Sequence, residues 1–113
     1  HARVLGAGAV MRHIAEDLKR HDLPVIVTGD MNAFPDSEPI AAFLTDKTVP
    51  LVNQTPSFPA SWHAYGERMD EPQIDYIFTR GFKAIAEPTA WNDKPFGKYL
   101  SDHEALCAFL KAE

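Results

Sequence analysis

Apolar side chains recur at three- and four-residue steps through Val4, Ala7, Met11, Ile14 and Leu18. This spacing predicts an amphipathic helix over residues 2–21. Lys19, Arg20 and His21 fall in its last turn, where cations suit the helix dipole. Pro24 ends the connection, and Val25-Ile26-Val27-Thr28 follows with no polar face. A strand over 25–29 is therefore expected, buried on both sides. A second, shorter helix is predicted from Ser37 to Leu44, with Ser37 as its cap and Pro39 tolerated in the first turn. Residues 45–72 are broken by Pro50, Pro56, Pro59, Gly66 and Pro72, with short strands expected at 50–54 and 57–62.

From Ile74 to Thr79 the pattern alternates cleanly. Ile74, Tyr76 and Phe78 occupy one face, and Asp75, Ile77 and Thr79 the other. Another strand, Phe82 to Trp91, follows a turn at Arg80-Gly81. Residues 92–103 read as a polar loop containing Pro95 and Gly97, and Ala105 to Leu110 as a final strand. The sum is an α+β chain without repeats or an interdomain linker. No strand precedes the first helix, and the candidate chemistry all lies after residue 29. The chain is thus expected to begin partway through a fold, as a single partial domain over residues 1–113.

Composition narrows the function. At 113 residues, 45% hydrophobic and 24% charged, the chain suits one globular domain or a piece of a larger one. Sixteen acidic against 11 basic residues give a net charge of −5, which argues against a broad basic footprint for nucleic acid. It leaves room for a metal-dependent phosphate enzyme, because carboxylates are what bind the cation. The single cysteine, Cys107, excludes an intrachain disulfide and a cysteine-rich zinc site. A lone thiol suits a reducing compartment and slightly favours the cytoplasm. No apolar run approaches the ~20 residues of a membrane span.

Three short segments carry acidic or imidazole groups beside strand ends: Gly29-Asp30-Met31-Asn32, Gln73-Ile74-Asp75-Tyr76-Ile77 and Ser101-Asp102-His103. Each has an ordinary explanation. Asp30 and Asn32 are common turn formers, and an Asp-His pair is common in loops. Asp75 differs, since an unpaired carboxylate in an apolar strand costs several kcal/mol and needs a partner whatever its role. Together the groups complement one another. Asp102 offers a hard oxygen ligand for a divalent cation, and His103 a hydrogen-bond donor or proton carrier. A buried carboxylate such as Asp75 is a usual orienter of an imidazole. Asp30 can align or deprotonate water, and the Asn32 amide can stabilise charge on phosphorus.

In their order and wording these segments resemble the C-terminal half of the endonuclease/exonuclease/phosphatase superfamily, which has a deoxyribonuclease I-like fold. The family's Gly-Asp-x-Asn matches Gly29 to Asn32, its Ile/Leu-Asp-Tyr strand matches Ile74 to Tyr76, and its closing Ser-Asp-His matches Ser101 to His103. The resemblance implies one half of a four-layer α/β/β/α sandwich, with one mostly antiparallel sheet and outer helices. It implies Asp30, Asn32, Asp75 and His103 as catalytic residues, Asp75 pairing with His103, and Asp102 and Asp30 at the metal. Mg²⁺, with Mn²⁺ as an alternative, is the implied cofactor, and a phosphoester the implied substrate: nucleic acid, phospholipid or sugar phosphate.

The family's metal-binding Glu, first-strand Asn and Asn-x-His histidine have no counterpart in this chain. The expectation is a fragment of a divalent-metal-dependent phosphoester hydrolase, inactive in isolation. Its inner sheet face would be covered by the rest of the same fold or by self-association. The alternative is a degenerate member serving as a binding or scaffolding module. His63, in Trp62-His63, and Lys98, in the loop before Ser101, are further candidates for the substrate rim, against readings as ordinary loop residues.

Overall fold

The computed structural model describes every residue except Ser57. Helix α1 spans Ala2–Arg20, and strand β1 follows at Val25–Asp30. Helix α2, Glu38–Leu44, leads to the short strand β2, Val52–Asn53. Strands β3, Asp75–Arg80, β4, Phe82–Trp91, and β5, Ala105–Ala112, complete the chain. The class is α+β, and every strand pairing is antiparallel. The strands divide between two sheets: β1-β3-β2, and the hairpin β4-β5.

The inward faces follow the sequence alternation. Tyr76 and Phe78 of β3 are fully buried beneath both helices, with Met11 from α1 and Ile40 and Phe43 from α2. The Phe78 ring lies 5.0 Å from Phe43 and 5.1 Å from Tyr76, centroid to centroid. The Tyr76 hydroxyl sits between the carbonyls of Ala33, at 2.7 Å, and Gln73, at 2.9 Å. It thereby ties the segment after β1 to the segment before β3. Burial first, then the charges of Asp75 and Asp36, push its pKa far above the phenol range, so it stays a donor.

Several expectations change. Strand β1 is not buried on both sides. Val25 and Val27 face the helices, while Ile26 is 53% exposed on the opposite face. An all-apolar run reports residue type, and the second covering layer it suggested is not supplied by the described residues. No strand forms at 57–62 among the described residues, and Ser57 lies outside them. Trp62 instead makes one isolated bridge to His103. Ser37 stands at the N-cap of α2, but its hydroxyl donates to Phe34 O at 2.6 Å and caps nothing. Strand β4 pairs irregularly around Ile85 and between Ala86 and Thr89, where Pro88 lacks the N–H a regular ladder needs.

The two faces of β1 and β3 should respond differently to truncation in the 113-residue chain. Phe78→Ala should cost about 3–5 kcal/mol in urea unfolding, while Ile26→Ala should cost under about 1 kcal/mol. Equal losses would contradict the one-sided core.

Candidate active site

The β1–β3 register sets the site. Gly29 stands opposite Tyr76, and Asp30 opposite Asp75, at the end of both strands. Gly29 has φ +148, which side-chain-bearing residues rarely adopt, and this lets β1 run to its exit without strain. Beyond it Asp30 Oδ1 accepts the backbone N–H of Asn32 at 2.8 Å. Asn32 takes a left-handed φ of +49, a conformation Asn tolerates well. The turn former and the candidate catalytic residue are therefore the same side chain. Asx geometry uses one carboxylate oxygen of Asp30 and leaves the other free.

That other oxygen faces His103. Nε2 of His103 lies 3.8 Å from Asp30 Oδ2, and Nδ1 lies 2.8 Å from Asp75 Oδ2. A carboxylate only accepts, so the proton of this short bond sits on Nδ1, which leaves Nε2 as the edge toward Asp30. Burial pulls the His103 pKa down, but the hydrogen bond and charge of Asp75 outweigh it. Asp102 and Asp30 add to them, and the net shift is upward from the ordinary histidine value.

A buried stitch holds the three segments together. The hydroxyl oxygen of Ser61 accepts the N–H groups of both Ile74 and Asp75 at 2.9 Å. The Ser61 carbonyl accepts Glu104 N–H at 2.7 Å, and the Asp102 carbonyl accepts His63 N–H at 2.9 Å. Residues 61–63 therefore run beside 102–104 and fix His103 against the start of β3. Gln73 adds a second tie through Nε2, which donates to the carbonyls of Thr55 and Asp75, both at 2.8 Å. Ser61 lies outside the motif segments and Gln73 at the start of one, and nothing in a linear pattern tells a buried stitch from a loop.

Asp102 stands apart from the other acidic groups. Its Oδ2 accepts the indole N–H of Trp62 at 3.2 Å. Among the described residues the cluster with ligand atoms within 4.8 Å of one another comprises Asp30, Asp75 and His103, without Asp102. The two rim candidates stand outside the Asp30–Asp75–His103 cluster. His63 is fully buried, its ring 4.5 Å from Tyr99, and its Nδ1 accepts the Gly66 N–H. A Cβ on Gly66 would stand 2.5 Å from Tyr99 Cε2, so the packing over His63 needs that glycine. Lys98 is exposed and is not among the residues lining the cleft. The side chain that does border the site from this region is Trp62.

Asp30, Asn32 and His103 open onto a cleft of about 710 Å³, lined also by Phe34, Pro39 and Ile74. A carboxylate, an amide and an oriented imidazole thus line one cleft. None of the helices described is long and apolar enough to cross a membrane.

Comparison with known proteins agrees with this architecture. The profile of the Endonuclease/Exonuclease/phosphatase family matches residues 1–103. An endonuclease/exonuclease/phosphatase from Bacteroides vulgatus is 24% identical, with a TM-score of 0.82 over 99% of this chain and 44% of its own. A mannosyl-6-phosphatase from Bacteroides thetaiotaomicron is 20% identical, with a TM-score of 0.73 over 97% of this chain and 46% of its own. The human Nocturnin catalytic domain, bound to sulfate, is also 20% identical with a TM-score of 0.73, over 98% and 41%. At such identities the likeness is one of fold, and this chain spans less than half the length of each structure. No curated protein gives a significant match. With the profile running over nearly its whole length, the chain belongs to the Endonuclease/Exonuclease/phosphatase family, a superfamily of phosphoesterases and nucleases.

Proposed function

We propose that this chain supplies one wall of a divalent-metal-dependent phosphoester hydrolase. The observation that carries the reading is the Asp30–His103–Asp75 array, with an oriented imidazole at the mouth of the cleft. Two relatives point the same way, since one acts on a mannosyl 6-phosphate and another binds sulfate, a tetrahedral oxyanion.

In this reading Asp75 holds Nδ1 of His103, so that Nε2 faces the cleft and, when the ring is protonated, donates to a phosphoryl oxygen. Asp30 aligns a water for in-line attack. The water oxygen forms the new P–O bond and its proton passes to the Asp30 carboxylate, while the ester P–O bond breaks and the leaving oxygen takes a proton from solvent. The Asn32 amide, on the same turn, would donate to the charge developing on phosphorus.

The donor set fits a hard cation in part. Asp75 is engaged by His103, so Asp30 is the oxygen donor of this cluster left to hold the ion. Asp102 would have to release the Trp62 indole to join it. Mg²⁺ takes one or two carboxylates and completes its shell with water and substrate phosphate, which suits this sparse set. When bound, the ion would neutralise charge on the transferring phosphoryl group. The rest of the fold would bring the other ligands and cover the sheet face on which Ile26 is exposed.

In the full-length protein, Asp30→Ala and His103→Ala should each lower kcat by about 10²–10⁴-fold with folding intact. Chelation should abolish turnover, and Mg²⁺ or Mn²⁺ should restore it; a mild loss for both variants would sink these roles. The isolated 113-residue chain should show no metal-dependent turnover of a phosphodiester, and robust activity would refute the one-wall reading.

The raised pKa of His103 has a consequence for stability. The folded state holds this proton more tightly than the unfolded chain. Its contribution is therefore full below about pH 6.5, the ordinary histidine value, and is lost as pH rises through the higher folded value. In chelator, urea midpoints of the wild type should fall across that window, and those of His103→Asn should fall less.

A further inference from the structure

With Asp75 engaged by His103, the array offers a divalent cation one carboxylate, Asp30. The next carboxylate is Asp102, whose charge helps to raise the pKa of the adjoining His103. Its side chain is held elsewhere. Oδ2 of Asp102 accepts the indole N–H of Trp62 at 3.2 Å. Asp102 is also absent from the group whose ligand atoms lie within 4.8 Å of one another. The main chain around it is pinned: the Asp102 carbonyl accepts His63 N–H at 2.9 Å, and Trp62 bridges to His103. A change of partner at Asp102 is therefore a rotation of one half-buried side chain.

The indole that holds it has a second tether, and that tether is built on strain. Ala64, Tyr65 and Gly66 have φ of +50, +57 and +89, three left-handed residues in succession. For Ala and Tyr this conformation is unfavourable, and it persists only where neighbours over-determine it. Here His63 does so. Its carbonyl accepts the N–H groups of both Gly66 and Arg68 at 2.9 Å, and its Nδ1 also accepts Gly66 N–H at 3.2 Å. Tyr99 closes over the His63 ring and leaves no room for a Cβ on Gly66. The turn folds the chain back so that Arg68 lies 6.0 Å from the Trp62 ring centroid, with Glu71 salt-bridged to its guanidinium. The ring thus keeps one tether when Asp102 lets go.

We propose that Trp62 is a positioning residue for Asp102, a latch whose indole N–H competes with a divalent cation for the carboxylate. Asp102 exchanges that hydrogen bond for coordination, while Arg68 retains the ring. Because the bond breaks first, the latch weakens apparent Mg²⁺ affinity according to the fraction of molecules in which Asp102 is free. The proposal rests on the phosphoester-hydrolase reading above and deepens it.

The test is Mg²⁺ binding to the full-length protein, followed by calorimetry and by the tryptophan emission that Trp62→Phe removes. Trp62→Phe keeps an aromatic ring and deletes the N–H, so it should bind Mg²⁺ about fivefold more tightly than the wild type. Asp102→Asn keeps an acceptor for the indole and gives up the anionic ligand, so it should bind about tenfold more weakly or worse. Mg²⁺ should change the Trp62 emission of the wild type, with the midpoint found by calorimetry, and leave that of Asp102→Asn unchanged. Weaker or unaltered binding by Trp62→Phe would overturn the latch while leaving the hydrolase reading intact. So would wild-type affinity in Asp102→Asn. No Mg²⁺ binding by the wild type, with turnover of p-nitrophenyl phosphate indifferent to chelator, would overturn both readings.

Discussion

The pairing register of β1 on β3 is the constraint on which the rest depends. It places Asp30 directly opposite Asp75, and it does so because Val25 and Val27 on one strand share a face with Tyr76 and Phe78 on the other. A slip of one residue would turn Asp75 toward the helices and Tyr76 toward the open face. Two like charges facing across a ladder are unfavourable by fractions of a kcal/mol to about 1 kcal/mol. The imidazole of His103, in reach of both carboxylates, offsets that repulsion. The elevated pKa of His103 and the tolerance of the Asp30–Asp75 pair are one interaction seen from its two ends.

Holding an imidazole there requires a distant loop to arrive in the right place, and Ser61 provides the link. A hydroxyl oxygen has two lone pairs, and here they meet two consecutive N–H groups at the start of β3. Alanine would leave both donors without this partner in a place where Ser61 itself admits no water. The Ser61 carbonyl then receives Glu104, one residue past His103. A single buried residue thus couples the position of Asp75 to that of His103, and their 2.8 Å contact follows from main-chain geometry rather than from side-chain search.

What could be read from the sequence was what depends on local period. The helix through Val4, Ala7 and Met11, the alternation from Ile74 to Thr79 and the Phe82–Trp91 strand all appear within a residue or two of their expected bounds. The turn at Gly-Asp-Met-Asn is written in adjacent residues, whereas the link from it to Asp75 and His103 came from the family resemblance. Contacts made across the chain were not. His63 looked like a rim residue because polar side chains in turn-rich segments are usually exposed, but Tyr99 closes over it. The indole of Trp62 reaches Asp102 across 40 residues, and no periodicity encodes that. Ile26 shows the opposite error: its residue type suggested burial, while burial itself depends on what lies opposite.

The two faces of the sheet therefore do different work. On the helix side, Tyr76, Phe78, Phe43 and Met11 close a core that none of the site side chains enters. On the other side, Asp30, Asp75 and His103 hang from strand ends, joined to one another and to the Ser61 stitch. Their only shared element with the core is the backbone of β1 and β3. Substitutions among the site groups can then alter chemistry without opening the core, whereas a change at Phe78 acts on the register that both faces share. Tyr76 is the exception that marks the boundary. Its ring belongs to the core, while its hydroxyl fastens the carbonyls of Ala33, just past the first motif segment, and Gln73, the first residue of the second. Through that one phenol the packing of the helices fixes how far apart the turn carrying Asp30 and the strand carrying Asp75 stand, so the stable half of the sheet sets the geometry of the chemical half.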